Sequence, residues 1–225
     1  MVTMGFVAAA TSRVGIGTSV LVIPLRPPVL MAKMLATIDQ LSGGRVILGA
    51  AAGWLESEFE ALGVPFQERG ARTDEALMAM RRLWTEDPVN ADLPVHHAAL
   101  VNMRAKPQPI RHIPLWVGGN GPAALRRAAA IGDGWHGAFA APELTRELVA
   151  ALRSQRPEPG FVVSMRVSWD GVDDDPDELL TEFEAYRAAG VNHFVFEPRQ
   201  RTVDGYLRSC ELLAQLSERA GAALH

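Results

Sequence analysis

One cysteine occurs in the 225 residues, Cys210, so no internal disulfide can form and a reducing compartment is the expected setting. Long apolar runs are missing as well. No stretch approaches the ~20 residues that a membrane-spanning helix needs. The opening MVTMGFVAAA lacks the basic start of a secretory signal. The expectation is a cytoplasmic chain that engages no membrane. A basic excess is also absent. The formal charge is -4, with Lys and Arg scattered, which argues against nucleic acid as a partner. No Ser-His-Asp order and no nucleophile elbow supports a hydrolase. His96, His97 and His112 fall in a proline-interrupted segment without helical i,i+4 spacing, so no metal is expected. Asp173, Asp174 and Asp175 precede Pro176 and read as a helix cap, because carboxylates suit the positive end of the dipole.

What the chain does have is apolar material. With 48% hydrophobic residues it can bury a substantial core, and its length suits one domain over residues 1–225. Thr3 to Ser12 reads as the tail of a helix. Val14 to Ile23 is a β-branched run without alternation, as in a strand buried on both faces. The prolines at 24, 27 and 28 open a helix whose Met31, Met34, Leu35, Ile38 and Leu41 keep a 3.6-residue period. Arg45 to Ala51 is a second buried strand. Arg72 to Trp84 is helical, and the irregular stretch of about 85–113 reads as an insertion with short strands of its own. Strands then follow near Leu115 to Val117, Gly134 to Phe139, Phe161 to Trp169 and Val191 to Glu197. Helices lie between them, with Leu144, Leu148 and Leu152 inward on one and Tyr206, Cys210, Leu213 and Leu216 inward on the last. This alternation predicts an α/β fold with a parallel sheet and right-handed crossovers. An open doubly wound sheet and a (β/α)8 barrel both fit. Six βα units are visible, where a closed barrel needs eight.

The chain is organised around Pro114 to Arg127 (PLWVGGNGPAALRR). A short apolar strand runs into Gly118, Gly119, Asn120 and Gly121, and Pro122 sits where a first helical residue belongs. Free backbone N–H groups and the helix dipole then converge on one point, an anion site whose usual occupant is phosphate. Arg126 and Arg127 read as a solvated helix face. His136 follows a strand at the end that should face a site. It is a candidate contact or a proton donor near neutral pH. Glu197 ends the last strand, a catalytic position in barrels, with a salt bridge to a neighbouring arginine as its plainer role.

Five segments carry a resemblance: GTSVLV from Gly17, ATIDQLSGGR from Ala36, GWLESEFEALG from Gly53, WVGGN from Trp116 and GDGWH from Gly132. In this order they resemble the bacterial luciferase-like monooxygenase superfamily, and within it the actinobacterial branch that uses coenzyme F420. The resemblance implies a (β/α)8 TIM-barrel type binding a deazaflavin or flavin at the C-terminal ends of its strands. It places a non-proline cis peptide or bulge at Ser19-Val20, behind the cofactor ring. It sets Ala52 and Gly53 beside that ring, matches Gly118 to Gly121 to the family's phosphate loop, and leaves Trp54 either stacked near the ring or closing the barrel mouth. It also implies an N-terminally truncated relative lacking the first two βα units, since the chain starts inside what the family has as its second helix. Two departures stand out. F420-dependent sugar-phosphate dehydrogenases carry a glutamate where this chain has Trp54 and an asparagine where it has Ser57, which speaks against that particular activity. The leading expectation is hydride transfer between F420 and a small organic substrate by a homo-oligomer, a dimer. The alternatives are an FMN-dependent monooxygenase and a truncated, catalytically silent cofactor-binding or interaction protein.

Overall fold

The computed structural model describes residues 1–221. The chain packs as two compact units, one of Met1–Leu115 and one from Trp116 on.

The first unit opens with α1 (Val2–Ala10), which buries Met4 and Ala8 and leaves Val2 and Phe6 outward. Two short strands follow, β1 (Ile16–Gly17) and β2 (Leu21–Val22), both parallel to β3 (Val46–Ala51). The expected single strand over Val14 to Ile23 is therefore interrupted. Ile16 pairs with Val46 and Leu21 with Ala50, so five steps on one strand face four on the other. That is a one-residue bulge. The Ser19-Val20 peptide within it is cis, as the resemblance implies. The Thr18 hydroxyl donates to the Gly49 carbonyl at 2.7 Å and holds the bulge to β3.

The helix α2 (Pro28–Ser42) buries Met31, Leu35 and Ile38. Leu41, expected inward, is 72% exposed, because the last turn rotates it off the core before Gly43 ends the helix. Arg45 ties this corner together. Its guanidinium donates to the carbonyls of Ala8, Thr11, Val14 and Ser42 at 2.7–3.0 Å. After the short α3 (Glu56–Ala61), α4 (Arg69–Thr85) buries Leu77, Met80 and Leu83, and its Trp84 indole donates to Ala32 of α2. The insertion does have strands of its own, an antiparallel hairpin of β4 (Val89–Leu93) and β5 (Ala98–Met103). Its tip is held by Glu75 of α4, whose carboxylate accepts from the Val95 and His96 N–H groups and pairs with the His96 ring. His96 thus has a structural partner.

The second unit repeats strand and helix four times. Its strands are β6 (Leu115–Gly118, whose first residue ends the first unit), β7 (Gly134–Ala138), β8 (Val162–Val167) and β9 (His193–Phe196). They lie side by side in that order, all parallel. Between and after them come α5 (Pro122–Ile131), α6 (Pro142–Arg153), α7 (Pro176–Ala188) and α8 (Val203–Arg219). Asp175 caps α7, accepting from the N–H groups of Asp177 and Glu178, as its sequence predicts.

Two helical faces differ from expectation in phase. On α6 the buried residues are Thr145, Val149 and Leu152, and Leu144 is 45% exposed. On α8 they are Ser209, Leu213, Leu216 and Ser217, whereas Tyr206 and Cys210 lie outward. In both cases a small polar residue occupies the inner stripe because it has a backbone partner there. Ser209 accepts from the Gly171 N–H at 2.7 Å, and Thr145 donates to the Ala140 carbonyl. Counting β1 and β2 as one interrupted strand, the described residues hold six parallel strands. Among the described residues no helix is long and apolar enough to cross a membrane.

Candidate functional site

Side chains on a strand alternate between its two faces, and register partners on parallel strands share a face. In the second unit one face turns Trp135, Val163 and Met165 into the packed core, with Phe194 and Phe196 on the same face and half-buried. There Phe183 of α7 stacks on Phe194 at 4.5 Å, and Trp169 packs on Phe194 and Phe196 at 5.9 and 5.6 Å. The opposite face carries Trp116, His136, Ser164, Arg166, His193 and Glu197, a polar row opposed to the helices.

His136 is 4% exposed, and its Nδ1 lies 2.8 Å from the Ser164 hydroxyl. Burial first, then the neighbouring His193 and Arg166, pushes its pKa down to about 4. The ring is neutral at pH 7. The role of imidazolium proton donor near neutral pH does not survive this environment. Ser164 also bonds Nδ1 of His193 at 2.9 Å, and burial lowers the His193 pKa as well. Trp116 packs edge-on against His193, with centroids 4.7 Å apart.

Glu197 accepts a two-pronged pair from Arg166, at 2.6 and 2.9 Å, so its plainer role as a salt-bridge partner is the one observed. Arg166 also lies 5.3 Å from the Phe139 ring.

The loop from Gly118 to Gly121 leaves β6 and enters α5. Gly119 sits at φ +116, a backbone region closed to ordinary side chains, and a Cβ there would meet Ala124 at 3.1 Å. The loop is latched onto β7. The Gly119 carbonyl accepts from the Trp135 indole at 2.8 Å, and the Asn120 amide donates to and accepts from the Ala138 backbone at 2.8 and 3.3 Å. Asn120 was expected to face a cofactor. Its side-chain amide is instead engaged in holding the loop. Gly121 is different. It caps α5, is exposed, and a Cβ built on it would meet nothing within 4 Å. No side chain caps α5, so its first-turn N–H groups are left without a capping acceptor beside this open position. Arg127, expected on a solvated face, is buried, and Arg126 is exposed.

In the first unit, Gly53 has φ +84, and a Cβ on it would press Val22 and Phe59 at 2.7 and 2.9 Å. The chain needs glycine there for its own packing. Ser19, Val20 and Ala52 are half-buried, and Trp54 is 83% exposed. Ser164, His193 and Trp116 escaped sequence reasoning. The usable signal was the alternation in VVSMRV, which sets Ser164 and Arg166 on one face; VNHFVFE does not alternate.

Comparison with known proteins gives a consistent result. Residues 1–223 match the sequence model of the luciferase-like monooxygenase family. An uncharacterised protein of Mycobacterium tuberculosis is 39% identical over 153 residues, 68% of this chain and 52% of that protein. The F420-dependent glucose-6-phosphate dehydrogenase of Amycolatopsis mediterranei is 38% identical over 136 residues, 59% of this chain and 40% of that protein. The FMNH(2)-dependent dimethylsulfone monooxygenase of Pseudomonas putida is 29% identical over 163 residues, 71% of this chain and 45% of that enzyme. The chain thus spans about half the length of the curated relatives it matches. In fold it is similar to the crystal structure of the monooxygenase RslO1 from Streptomyces bottropensis, with a TM-score of 0.86 at 20% identity, covering 98% of this chain and 82% of that one. The six parallel strands alternating with helices are of the TIM-barrel type.

Proposed function

The chain belongs to the luciferase-like monooxygenase family, and we propose that within it this protein is an oxidoreductase that uses coenzyme F420 to move hydride to or from a small organic substrate. The observation that carries the reading is the N-terminus of α5, which no side chain caps and where Gly121 leaves open space. A phosphate group fits that chemistry, because backbone N–H groups and the helix dipole both favour an anion. The proposal places the cofactor's phosphate there. When bound, the deazaflavin supplies the hydride chemistry, and the protein supplies binding and orientation. The residues of the chain contribute a rigid cradle. Trp135 and Asn120 fix the loop on β7, so the amides are aimed before the ligand arrives. For the ring, the resemblance alone names Ser19, Val20, Ala52, Gly53 and Trp54. Similarity to F420-dependent enzymes supports F420, and similarity to an FMNH(2)-dependent monooxygenase keeps FMN as the second reading.

Titration of the purified protein with F420 and with FMN, each followed by fluorescence, tests the choice. F420 binding supports the first reading, FMN binding alone transfers the reading to the monooxygenase, and binding of neither leaves the silent relative. The loop is tested by Gly121→Val. This position has an ordinary φ of -82 and open space around it, so the fold tolerates the change while the side chain enters the phosphate's path. Unchanged affinity in the folded variant removes the phosphate from this loop.

A further inference from the structure

We propose that His193 is the residue through which the second unit hydrogen-bonds a polar oxygen of the substrate, and that Ser164 and His136 behind it set whether His193 acts as donor or acceptor. This rests on the oxidoreductase reading above.

The argument begins with register. His136, Ser164 and His193 are direct partners across β7, β8 and β9, so all three project from the face opposed to the helices. Ser164 sits between the two rings, 2.8 Å from Nδ1 of His136 and 2.9 Å from Nδ1 of His193. A hydroxyl has one proton to donate. Among the described residues these two nitrogens are the only partners of the Ser164 hydroxyl, so its proton is bonded only when it goes to one Nδ1; the other ring then donates to the oxygen, and the two rings hold opposite tautomers. Burial keeps both rings in the neutral form, so each carries a single proton. In one arrangement His136 carries its proton on Nδ1 and His193 presents Nε2–H. In the other, His193 carries its proton on Nδ1 and presents a bare Nε2.

His193 is the outward member of this chain. His136 and Ser164 are buried, whereas His193 is half-buried beside the edge of Trp116. Among the described residues no group bonds its Nε2. The charged groups on the same face are Arg166 and Glu197, and they are bonded to each other. What remains for a ligand is a neutral nitrogen of switchable polarity, with an indole wall next to it. Such a group suits an oxygen that changes character in a redox reaction. A hydroxyl donates to bare Nε2, and a carbonyl oxygen accepts from Nε2–H. One nitrogen then bonds both members of the pair without charge being created in either.

The test reads the ring nitrogens directly. Long-range proton–nitrogen correlation spectra of the 15N-histidine-labelled protein distinguish the two tautomers. Opposite tautomers at His136 and His193 are expected in the wild type. In Ser164→Ala the correlation between them should be lost, with the fold intact by circular dichroism. The same tautomer on both rings of the wild type overturns the link through Ser164. Cyclohexanone and cyclohexanol then serve as probes. The ketone should shift His193 toward Nε2–H and the alcohol toward bare Nε2, and His193→Phe should lose binding of both. Ring signals unmoved by either probe at their limit of solubility overturn the role of His193. Because F420 titration is a separate measurement, failure here with F420 still bound leaves the functional reading standing. Failure of F420 binding with the tautomer shifts intact rejects that reading instead.

Discussion

Asp170 is fully enclosed in the loop that follows the strand β8, and its carboxylate is among the most heavily bonded groups in the second unit. Oδ1 accepts from the Val172 N–H at 3.0 Å and from the Gln200 amide at 3.0 Å, and Oδ2 accepts from the Arg199 N–H at 2.7 Å. Residues 199 and 200 follow β9, so this one side chain fastens the loops after two neighbouring strands. Burial alone would raise its pKa. The bonds from Val172, Gln200, Arg199 and Ser209 outweigh burial and hold it at about 2, against an ordinary 3.8. A lowered native pKa means stability that is complete above the ordinary value and is lost as pH falls from about 4 through about 2. At about 1.4 kcal/mol per unit, that component is about 2 kcal/mol. Asp170→Asn keeps the shape but turns an NH2 toward groups that are themselves donors. Each buried donor left without an acceptor costs about 1–3 kcal/mol, so the expected loss at pH 7 is about 2–4 kcal/mol, a large share of a domain's net stability. Urea unfolding followed by tryptophan fluorescence at pH 7 and at pH 2.5 measures it, with Trp169 one residue away as a reporter. The difference between wild type and variant should be large at pH 7 and shrink by about 2 kcal/mol at the acid end. A difference below about 0.5 kcal/mol at pH 7, or one that does not change with pH, would refute the assignment.

Three further outcomes are expected. Arg45→Met removes a guanidinium that serves four carbonyls of the first unit, and should lower stability by about 2–4 kcal/mol, read as a reduced urea midpoint with an unchanged slope. Asn120→Ala frees both the N–H and the carbonyl of Ala138, and should lower the melting temperature by roughly 3–8 °C, since about 1 kcal/mol corresponds to 2–4 °C in a chain of this size. Calorimetry checks it, and a shift under about 1 °C would show that the latch contributes nothing. Trp54→Ala touches a side chain that is 83% exposed, so stability should stay within about 0.5 kcal/mol. If the indole stacks on the cofactor ring, F420 affinity should fall about 3- to 10-fold, the equivalent of about 0.5–1.5 kcal/mol.

Much of the fold was legible because it is written in local pattern. Apolar runs separated by proline- and glycine-marked helices gave the order of strands and helices, and the aspartates before Pro176 gave a cap that the backbone N–H groups of Asp177 and Glu178 confirm. What pattern could not supply was phase. Leu144 and Tyr206 are apolar and spaced for an inner face, yet Thr145 and Ser209 lie inward beside them because distant backbone groups satisfy their hydroxyls. A polar residue scores against burial until its partner is known. That partner is 38 residues away for Ser209, and no window over one helix contains it.

The candidate site divides along the same line. The glycine loop could be read directly, because strand, glycines and a proline at the helix start are consecutive in the chain, and the structure gives Gly121 the open space that such a loop needs. His136 could be named but not understood. A histidine at a strand end reads as a proton donor only while its surroundings are imagined as water. With Ser164 and His193 brought in from residues 28 and 57 positions further on, the same ring becomes buried, neutral and bound to a hydroxyl. Asn120 changes role for a matching reason. Its amide meets the backbone of Ala138, 18 residues later, and stiffens the loop that it was expected to serve as a ligand contact. In each case residue type and position marked the right neighbourhood, and the third dimension decided which atom remains free to do chemistry. By that criterion Nε2 of His193 stands out on its face of the sheet, because its neighbours Ser164, Arg166 and Glu197 already hold partners within the protein.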